Sequence, residues 1–228
     1  VSSSSITDLK GIENFTSLKE LVCLLHRITN LNLSQNFELT NLDCDKNALT
    51  TLNISKNSLL TDLICSNNNL SSLDISKNIN LINLNCASNQ LLNIDVTKNT
   101  KLLSFNFNGN QLKSLDISKN TVLKTLDCGG NQFAVLDFSK NTTLINLNCN
   151  RNKLEYLNLK NGKNNLLIEP DFKNNPKLTC ILVDNASYSD TNWTDSKQDN
   201  ASYNETTCSV LIPDPYFEDK LIGLGIDK

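Results

Sequence analysis

The sequence has little of several residue types on which enzymes and metalloproteins depend. Its 228 residues include one histidine, one tryptophan and no methionine. His26 has no partner motif for nucleophilic catalysis, and the chain contains neither a GxGxxG nor a GxxxxGK(S/T) phosphate loop. His, Cys and Asp never cluster with the spacing of metal ligands. We therefore expect no enzymatic activity, no cofactor and no metal.

Charge and hydropathy exclude two further classes of partner. The formal net charge is −3, with 21 basic and 24 acidic residues that are interspersed rather than clustered. A surface that follows a phosphate backbone is therefore not expected, nor is nucleic-acid binding. No run of 18 apolar residues and no signal peptide is present, so we expect no membrane insertion. Because there is no initiator methionine, we expect Val1 to begin a processed chain or a fragment.

A repeat of 21 residues organises the chain, and the segment 49–69, LTTLNISKNSLLTDLICSNNN, represents it. Such a period predicts a solenoid, in which each coil buries its apolar side against its neighbours. One column of the repeat carries thiols, apart from one phenylalanine: Cys23, Cys44, Cys65, Cys86, Phe107, Cys128 and Cys149. Two columns carry asparagine: Asn36, Asn57, Asn78, Asn99, Asn120 and Asn141, and Asn47, Asn68, Asn89, Asn110, Asn131 and Asn152.

Each coil consists of two similar halves of eleven and ten residues. In the second half, Leu63 and Cys65 alternate with Asp62, Ile64 and Ser66, which is the period of a strand with one buried side. The LNI segment of the first half follows the same pattern. We therefore predict a short parallel strand on each side of the coil, with Ser66 outward, and almost no helix.

The asparagine and cysteine columns are interpreted as structural. An Asn amide satisfies both backbone N–H and C=O groups where the chain turns above a dry interior. Neighbouring parallel strands lie about 4.8 Å apart, whereas a disulfide requires Cβ atoms roughly 3.8 Å apart. Phe107 has no ligand chemistry at all, although it shares the thiol column. We expect these cysteines to be buried, reduced and apolar in character.

The unit LxxLxCxxNxLxxLDISKNxx resembles a bacterial leucine-rich-repeat class that is distantly similar to internalins and common in secreted and cell-surface proteins of the Bacteroidetes. The resemblance covers residues 6 to 184. It implies a mainly β leucine-rich-repeat solenoid of 21-residue coils with parallel strands and a C-terminal cap. It also implies a non-enzymatic binding or adhesion module that is secreted or displayed on the cell surface.

The predicted organisation is a lead-in over residues 1–5, a solenoid over 6–174, a cap over 175–208 and the helical start of a following module over 209–228. The segment KNGKNNLLIEPDF is interpreted as an insertion of 13 residues, after which Ile181 resumes the register of Leu147. The cap resembles that of the same family, and in an exported protein we expect Cys180 and Cys208 to form a disulfide. Trp193 has two interpretations, a cover for the open end of the core or a platform for a sugar.

Two faces of the solenoid differ in how regular they are. Asp and Lys rows on the LDISKN side are interpreted as a solvated structural face. The face of the Cys-bearing strands varies from coil to coil, as a recognition surface or neutral drift would make it vary. Its candidate ligand-binding residues are Asp43, Asp45, Asp62, Asn85, Asn106, Asn108, Asp127, Asn148, Asn150 and Arg151.

Function remains open between two alternatives at this point. The first is a module that binds a protein or a glycan through the Cys-bearing strands, within a polypeptide that has further domains. The second is a structural spacer without a ligand. The candidate residues include no aromatic or aliphatic anchor, so we expect a contact on this face to be weak or polyvalent.

Overall fold

The structure, a computed structural model, describes residues 5–208, and within them the chain winds into a solenoid of stacked coils. Eleven strands of three residues each pair only in parallel, and they form two sheets. The strands are β1 (Glu20–Val22), β2 (Asn41–Asp43), β3 (Asp62–Ile64), β4 (Asn83–Asn85), β5 (Ser104–Asn106), β6 (Thr125–Asp127), β7 (Val135–Asp137), β8 (Asn146–Asn148), β9 (Tyr156–Asn158), β10 (Cys180–Leu182) and β11 (Ser202–Asn204).

The first sheet contains the predicted Cys-bearing strands in the order β1-β2-β3-β4-β5-β6-β8. Its register equals the sequence period, since Leu42 pairs with Leu63 and Leu63 pairs with Leu84. The middle residue of each of these strands is buried, and the thiols that follow lie in the core, all six reduced. Ser66 was predicted to point outward, but it is 4% exposed. The interior therefore includes the small residue that follows the thiol in this coil.

The prediction of a strand on both sides of every coil is wrong for the first six coils, which carry β1 to β6. The second sheet, ordered β7-β9-β10-β11, begins only at Val135. In the part of the chain from residue 5 to 134, the opposite side of the coil has no strand. Side chains hold the backbone there instead, as when the N–H of Ser76 donates to Asp74 Oδ1 at 2.9 Å. An Asx turn of this kind competes with strand pairing.

The predicted 13-residue insertion is also wrong. Ile181 pairs with Leu157 in the second sheet, so it does not continue the register of Leu147. The first sheet instead extends through a bridge between Asn148 and Asp171. Asn175 continues the column of Asn152, because its Oδ1 accepts the N–H of Leu154 at 3.1 Å. Residues 154–176 thus form one slightly enlarged coil, in which the segment 160–172 is an integral part.

The few helical residues agree with the prediction of a mainly β chain. One α-helix, α1, spans Ala186–Asn192, and short 3-10 turns span Ile12–Asn14 and Asn164–Leu166. Asn185 is the N-cap of α1, and its Oδ1 accepts the N–H of Tyr188 at 2.8 Å. Such a cap satisfies one of the free N–H groups of the first turn.

Trp193 covers the C-terminal end of the core and is 2% exposed. Its ring contacts those of Phe172, Tyr188 and Tyr203 edge to face, with centroids 5.7 to 6.3 Å apart. The alternative of a sugar platform is therefore wrong, because the indole has no free face. The expected disulfide is present between Cys180 and Cys208.

The domain limits at residues 5 and 174 stay predictions. The segment 209–228, interpreted as the start of a following module, lies outside the described residues.

Candidate recognition surface

The strand face consists of the outward side chains of β1 to β6 and β8 together with the turn that follows each strand. All ten candidate residues lie on it. Parallel pairing places equivalent residues of successive strands side by side, about 4.8 Å apart. The structure thus brings the candidates together in columns that cross the strands. One column holds five of them: Asp43, Asn85, Asn106, Asp127 and Asn148.

The side chains in this column have a structural task that the sequence interpretation missed. In each of the five, Oδ1 accepts the backbone N–H two residues later, at 3.0 to 3.1 Å. The turn then continues through a residue with positive φ, such as Lys46 at 51° or Gly130 at 60°. Asn and Asp are suited to this Asx turn. Their recurrence at this position therefore reflects the turn and not drift alone.

The Asx turn uses only the amide oxygen of each Asn side chain and leaves the amide nitrogen unused. In Asn85, Asn106 and Asn148, the nitrogen Nδ2 donates no hydrogen bond to any residue in the range 5–208. Since Oδ1 is fixed toward the backbone, Nδ2 is held outward. These three donors are the part of the column that a ligand can use.

The remaining candidates lie in neighbouring columns. Asp62 starts β3 and accepts a hydrogen bond from Asn83 Nδ2 at 2.6 Å. Asp45 accepts one from Ser66 Oγ at 2.6 Å, and it also lies 3.9 Å from Lys46 Nζ. Arg151 is exposed, has φ of 52° and forms no ion pair with a residue of the described range.

A glycine separates Asn108 from Asn150. A Cβ at Gly129 would lie 2.7 Å from Asn108 Nδ2 and 2.7 Å from Asn150 Oδ1. Each amide nitrogen donates to an Asp of the following coil, Asn108 Nδ2 to Asp127 at 3.1 Å and Asn150 Nδ2 to Asp171 at 2.7 Å. The absence of a side chain at Gly129 is therefore required for this local network.

Charge is distributed unevenly along the strand face. The first three coils carry most of the carboxylates, from Glu20 to Asp62, whereas β4 and β5 carry only amides and a hydroxyl. Arg151 and Lys173 lie toward the C-terminal end, and Lys173 pairs with Asp195 at 3.3 Å. A partner with a complementary gradient would bind in one orientation.

The opposite row of Asp and Lys residues is organised by hydrogen bonds rather than by ion pairs. Asp95 accepts the N–H and the hydroxyl of Thr97 at 2.9 and 2.6 Å. These bonds lower the pKa of the Asp95 carboxyl, and the hydrogen bonds from Ser76 likewise lower that of Asp74. Among residues 5–208, no Lys of this row lies within ion-pair distance of Asp74, Asp95 or Asp137.

Sequence reasoning missed an aliphatic column at the edge of the strand face. A continuous series of backbone hydrogen bonds of 2.8 to 2.9 Å joins the residues that precede β4, β5, β6 and β8 and continues to Ile168: Ile82, Leu103, Lys124, Ile145 and Ile168. The first four follow the 21-residue period, so the repeat contained the signal. Ile168 could not be recognised, because the assumed insertion placed it outside the register. The ten candidate residues themselves include no aliphatic anchor, but this column lies beside them.

Other chemistries have no support in the described part of the chain. Between residues 5 and 208, no three His, Cys, Asp or Glu side chains come together as a metal site would require. No helix in that range is long and apolar enough to cross a bilayer.

Solved structures of other proteins share this architecture. The functional domain of InlJ from Listeria monocytogenes, described as including a cysteine ladder, is 30% identical over 79% of this chain and 51% of its own, with a TM-score of 0.51. The chain has the leucine-rich-repeat fold. Internalin C2 from the same organism is 18% identical over 85% of this chain and 84% of its own, with a TM-score of 0.66.

The structural neighbours also include a complex. The Drosophila Toll–Spatzle complex matches at 18% identity over 69% of this chain and 25% of its own, with a TM-score of 0.56. The chain spans about half the length of the InlJ domain. No family model and no curated protein matches the sequence.

Proposed function

We propose that this chain is a non-enzymatic binding or adhesion module of a secreted or cell-surface bacterial protein, and that it recognises a protein or a glycan through the strand face. One observation carries the proposal. The interior repeats almost unchanged from coil to coil, whereas one outward column presents a carboxylate, an alkyl group and an amide at successive positions: Asp43, Ile64 and Asn85. A scaffold that is uniform inside and diverse outside is suited to recognition. The structural neighbours, one of which is the Toll–Spatzle complex, support a binding role.

The Asx turns make a clean test available. The substitutions Asn85→Asp, Asn106→Asp and Asn148→Asp retain the Oδ1 acceptor for the backbone and replace the outward Nδ2 donor with an anionic oxygen. Asp43 and Asp127 already occupy the same column, which shows that the turn accepts aspartate. Wild type and the triple variant would be applied to protein and glycan arrays. We expect reproducible binding to the wild type and its loss in the variant. Because the three new carboxylates adjoin each other and Asp127, the variant should melt at a somewhat lower temperature, and binding is measured well below that transition.

Arg151 offers a second site for the same test. Its side chain is exposed and has no ion-pair partner among the described residues, so Arg151→Ser should remove a charge without disturbing the turn. The matched control reverses Lys77, Lys98 and Lys119 to Glu on the opposite side of the solenoid. Binding that survives the strand-face variants and fails in the lysine control would refute the assignment of the surface.

A spacer without a ligand is the second candidate, and the Asx turns favour it. Five of the ten candidate side chains bind their own backbone, so much of the face serves the fold. The spacer would hold further domains of the same polypeptide apart. A chain that binds nothing on the arrays, while longer polypeptides bind through another domain, would establish this role.

A further inference from the structure

The corner of the coil that leads into the strands carries an unusual number of accessible aliphatic side chains. We define the aliphatic flank by six of them: Ile79, Ile82, Leu103, Val122, Ile145 and Ile168. Ile168 is 61% exposed, Ile79 52% and Val122 40%, and the other three are half-buried. The backbone hydrogen bonds along the inner column keep successive side chains about 4.8 Å apart.

The solenoid itself does not require apolar residues in that column. The first coils carry Thr40 and Thr61 there, and their hydroxyls bond to Lys19 O at 3.0 Å and to Thr40 O at 3.2 Å. The fold is the same in these coils. The aliphatic side chains from Ile82 onward therefore serve something other than the shared core, and contiguous exposed apolar surface is a mark of contact with a partner.

The charges on the flank have a single sign. The corner segments 79–82, 100–103, 121–124, 142–145 and 165–168 include Lys101 and Lys124 but no Asp or Glu, in a chain whose net charge is −3. Lys101 Nζ donates to Asn80 Oδ1 at 2.7 Å, and neither lysine forms an ion pair with a residue of the described range. Two cations within an aliphatic surface favour a partner that is apolar and acidic.

We infer that the aliphatic flank is the anchoring part of the interface, and that its occupant is an extended protein segment with aliphatic or aromatic side chains and at least one carboxylate. The inference rests on the proposed binding function and assigns a protein ligand to it. From Ile82 to Ile168 the inner column spans four coil spacings, about 19 Å, which an extended segment of about six residues covers. The flank adjoins one edge of the strand face, so the two together join an apolar surface to a polar one, and protein interfaces contain both.

Selection from a displayed library of short random peptides tests this inference. Peptides would be selected on wild-type protein and then measured against Ile145→Ser/Ile168→Ser and against Lys124→Glu. We expect selected peptides to combine apolar residues with Asp or Glu, and to lose affinity about tenfold or more in either variant. Affinity should fall with added salt, since the lysine contact is at the surface. Lys113→Glu changes an exposed side chain about half a coil away in sequence from both Leu103 and Val122, so it is the matched control and should bind as wild type does.

Each other outcome overturns the inference. No enrichment, or peptides that bind the flank variants as tightly as wild type, would show that the flank does not anchor a segment. Flank-dependent binding to vesicles of phosphatidylcholine and phosphatidylglycerol, without peptide binding, would assign the flank to a membrane surface instead. Peptides that are lost on the Asn85, Asn106 and Asn148 triple variant but retained on the flank variants would leave the proposed function standing without this inference. Lys124→Glu alters an exposed side chain only, so it reports on binding even if the double serine variant is less stable.

Discussion

Asn68 Oδ1 accepts the backbone N–H of Leu49, 19 residues earlier, at 3.0 Å. Its Nδ2 donates at the same time to the carbonyls of Cys44 and Cys65 at 3.0 and 3.2 Å. This column satisfies both kinds of backbone group, as the sequence predicts. In the other column, Nδ2 of Asn57 donates to two carbonyls, but its buried Oδ1 has no partner. The two asparagine columns are therefore unequal.

Replacing Asn89 with Leu should destabilise the protein strongly. The change leaves the buried N–H of Leu70 without its acceptor and removes one of two donors to the carbonyl of Cys65, which still accepts from Asn68 Nδ2 at 3.2 Å. With about 1 to 3 kcal/mol for the one buried group left unpaired, the cost should be about 2 kcal/mol or more. Asp95→Asn should change little, because an amide oxygen still accepts from Thr97. Thermal melts of both variants test this prediction. Equal melting temperatures would contradict the role of this asparagine column in satisfying the buried backbone groups.

Because Oδ1 has a partner in one asparagine column and none in the other, substitutions in the two columns should differ in their effect on stability. Asn99→Leu removes only the donor to the carbonyls of Ile75 and Asn78, at 3.2 and 2.8 Å. Its Oδ1 accepts nothing in the described structure. We therefore expect its loss of stability to lie between those of Asn89→Leu and Asp95→Asn, by urea unfolding. A larger loss for Asn99→Leu than for Asn89→Leu would show that the unpaired oxygen has a partner after all.

The periodic part of this fold could be predicted from the sequence, because each column has one physical requirement that repeats every 21 residues. Leu63 and Cys65 are buried where alternation places them, and the thiols are reduced because one straight row cannot satisfy disulfide geometry. The absence of a strand opposite β1 to β6 could not be recognised from the sequence. Residues such as Asp74 fit an exposed strand position and an Asx turn equally well, and only the backbone hydrogen bonds separate the two.

The candidate surface was harder to predict than the core. Asn85 and Asn106 have different neighbours, yet each accepts the same kind of hydrogen bond from the backbone N–H two residues later. The sequence shows only an outward polar residue and does not reveal this bond. Ile168 joins Ile145 only because the coil after Leu154 accepts extra residues without losing register. An alignment that assumes a fixed period of 21 residues cannot follow such a change in coil length. Residues far from the repeat consensus were therefore misplaced, although their chemistry was visible.

The buried thiols should make stability depend on pH above neutrality. Burial raises the pKa of Cys86 to about 12 and that of Cys23, which also lies near Asp43, to about 11. In the unfolded chain a thiol titrates near 8.5. Below that pH the thiol is protonated in both the folded and the unfolded chain, so its full contribution to the free energy of unfolding is present. Above it the unfolded state loses the proton first, so stability should fall from about pH 8.5 up to the folded values.

Urea unfolding at several pH values measures this dependence, with Cys86→Ala as the control that should flatten the slope. Alkylation of the native protein adds an independent readout. Cys23 is 5% exposed and has the lower of the two shifted pKa values, so it should react before Cys86, which is fully buried. Rapid modification of Cys86 in the folded protein would contradict its buried position. So would a pH dependence of the free energy of unfolding that Cys86→Ala leaves unchanged.

The disulfide between Cys180 and Cys208 should be the single crosslink of the chain. It joins residues 28 apart in sequence and closes the cap over Trp193. Mass analysis after denaturing alkylation should find six modified thiols and one disulfide. Cys180→Ser/Cys208→Ser should lower the free energy of unfolding by roughly 3 to 4 kcal/mol in the chain-entropy model. A crosslink between Cys44 and Cys65, or metal released on thiol modification, would contradict the reduced column.

Phe107→Cys restores the consensus residue of the thiol column, and we expect it to destabilise the protein. Consensus substitutions often stabilise, but this one creates a cavity. Phe107 is fully buried, and its ring lies 4.5 Å from that of Phe105 and 6.1 Å from that of Phe133, centroid to centroid. Removing most of a buried aromatic side chain costs about 3 to 5 kcal/mol. Cys86→Ala, which deletes one sulfur from the same column, should cost less in parallel urea melts. If Phe107→Cys were as stable as wild type, the neighbouring rings would have to collapse into the space. Packing would then not explain why this one position of the thiol column is phenylalanine.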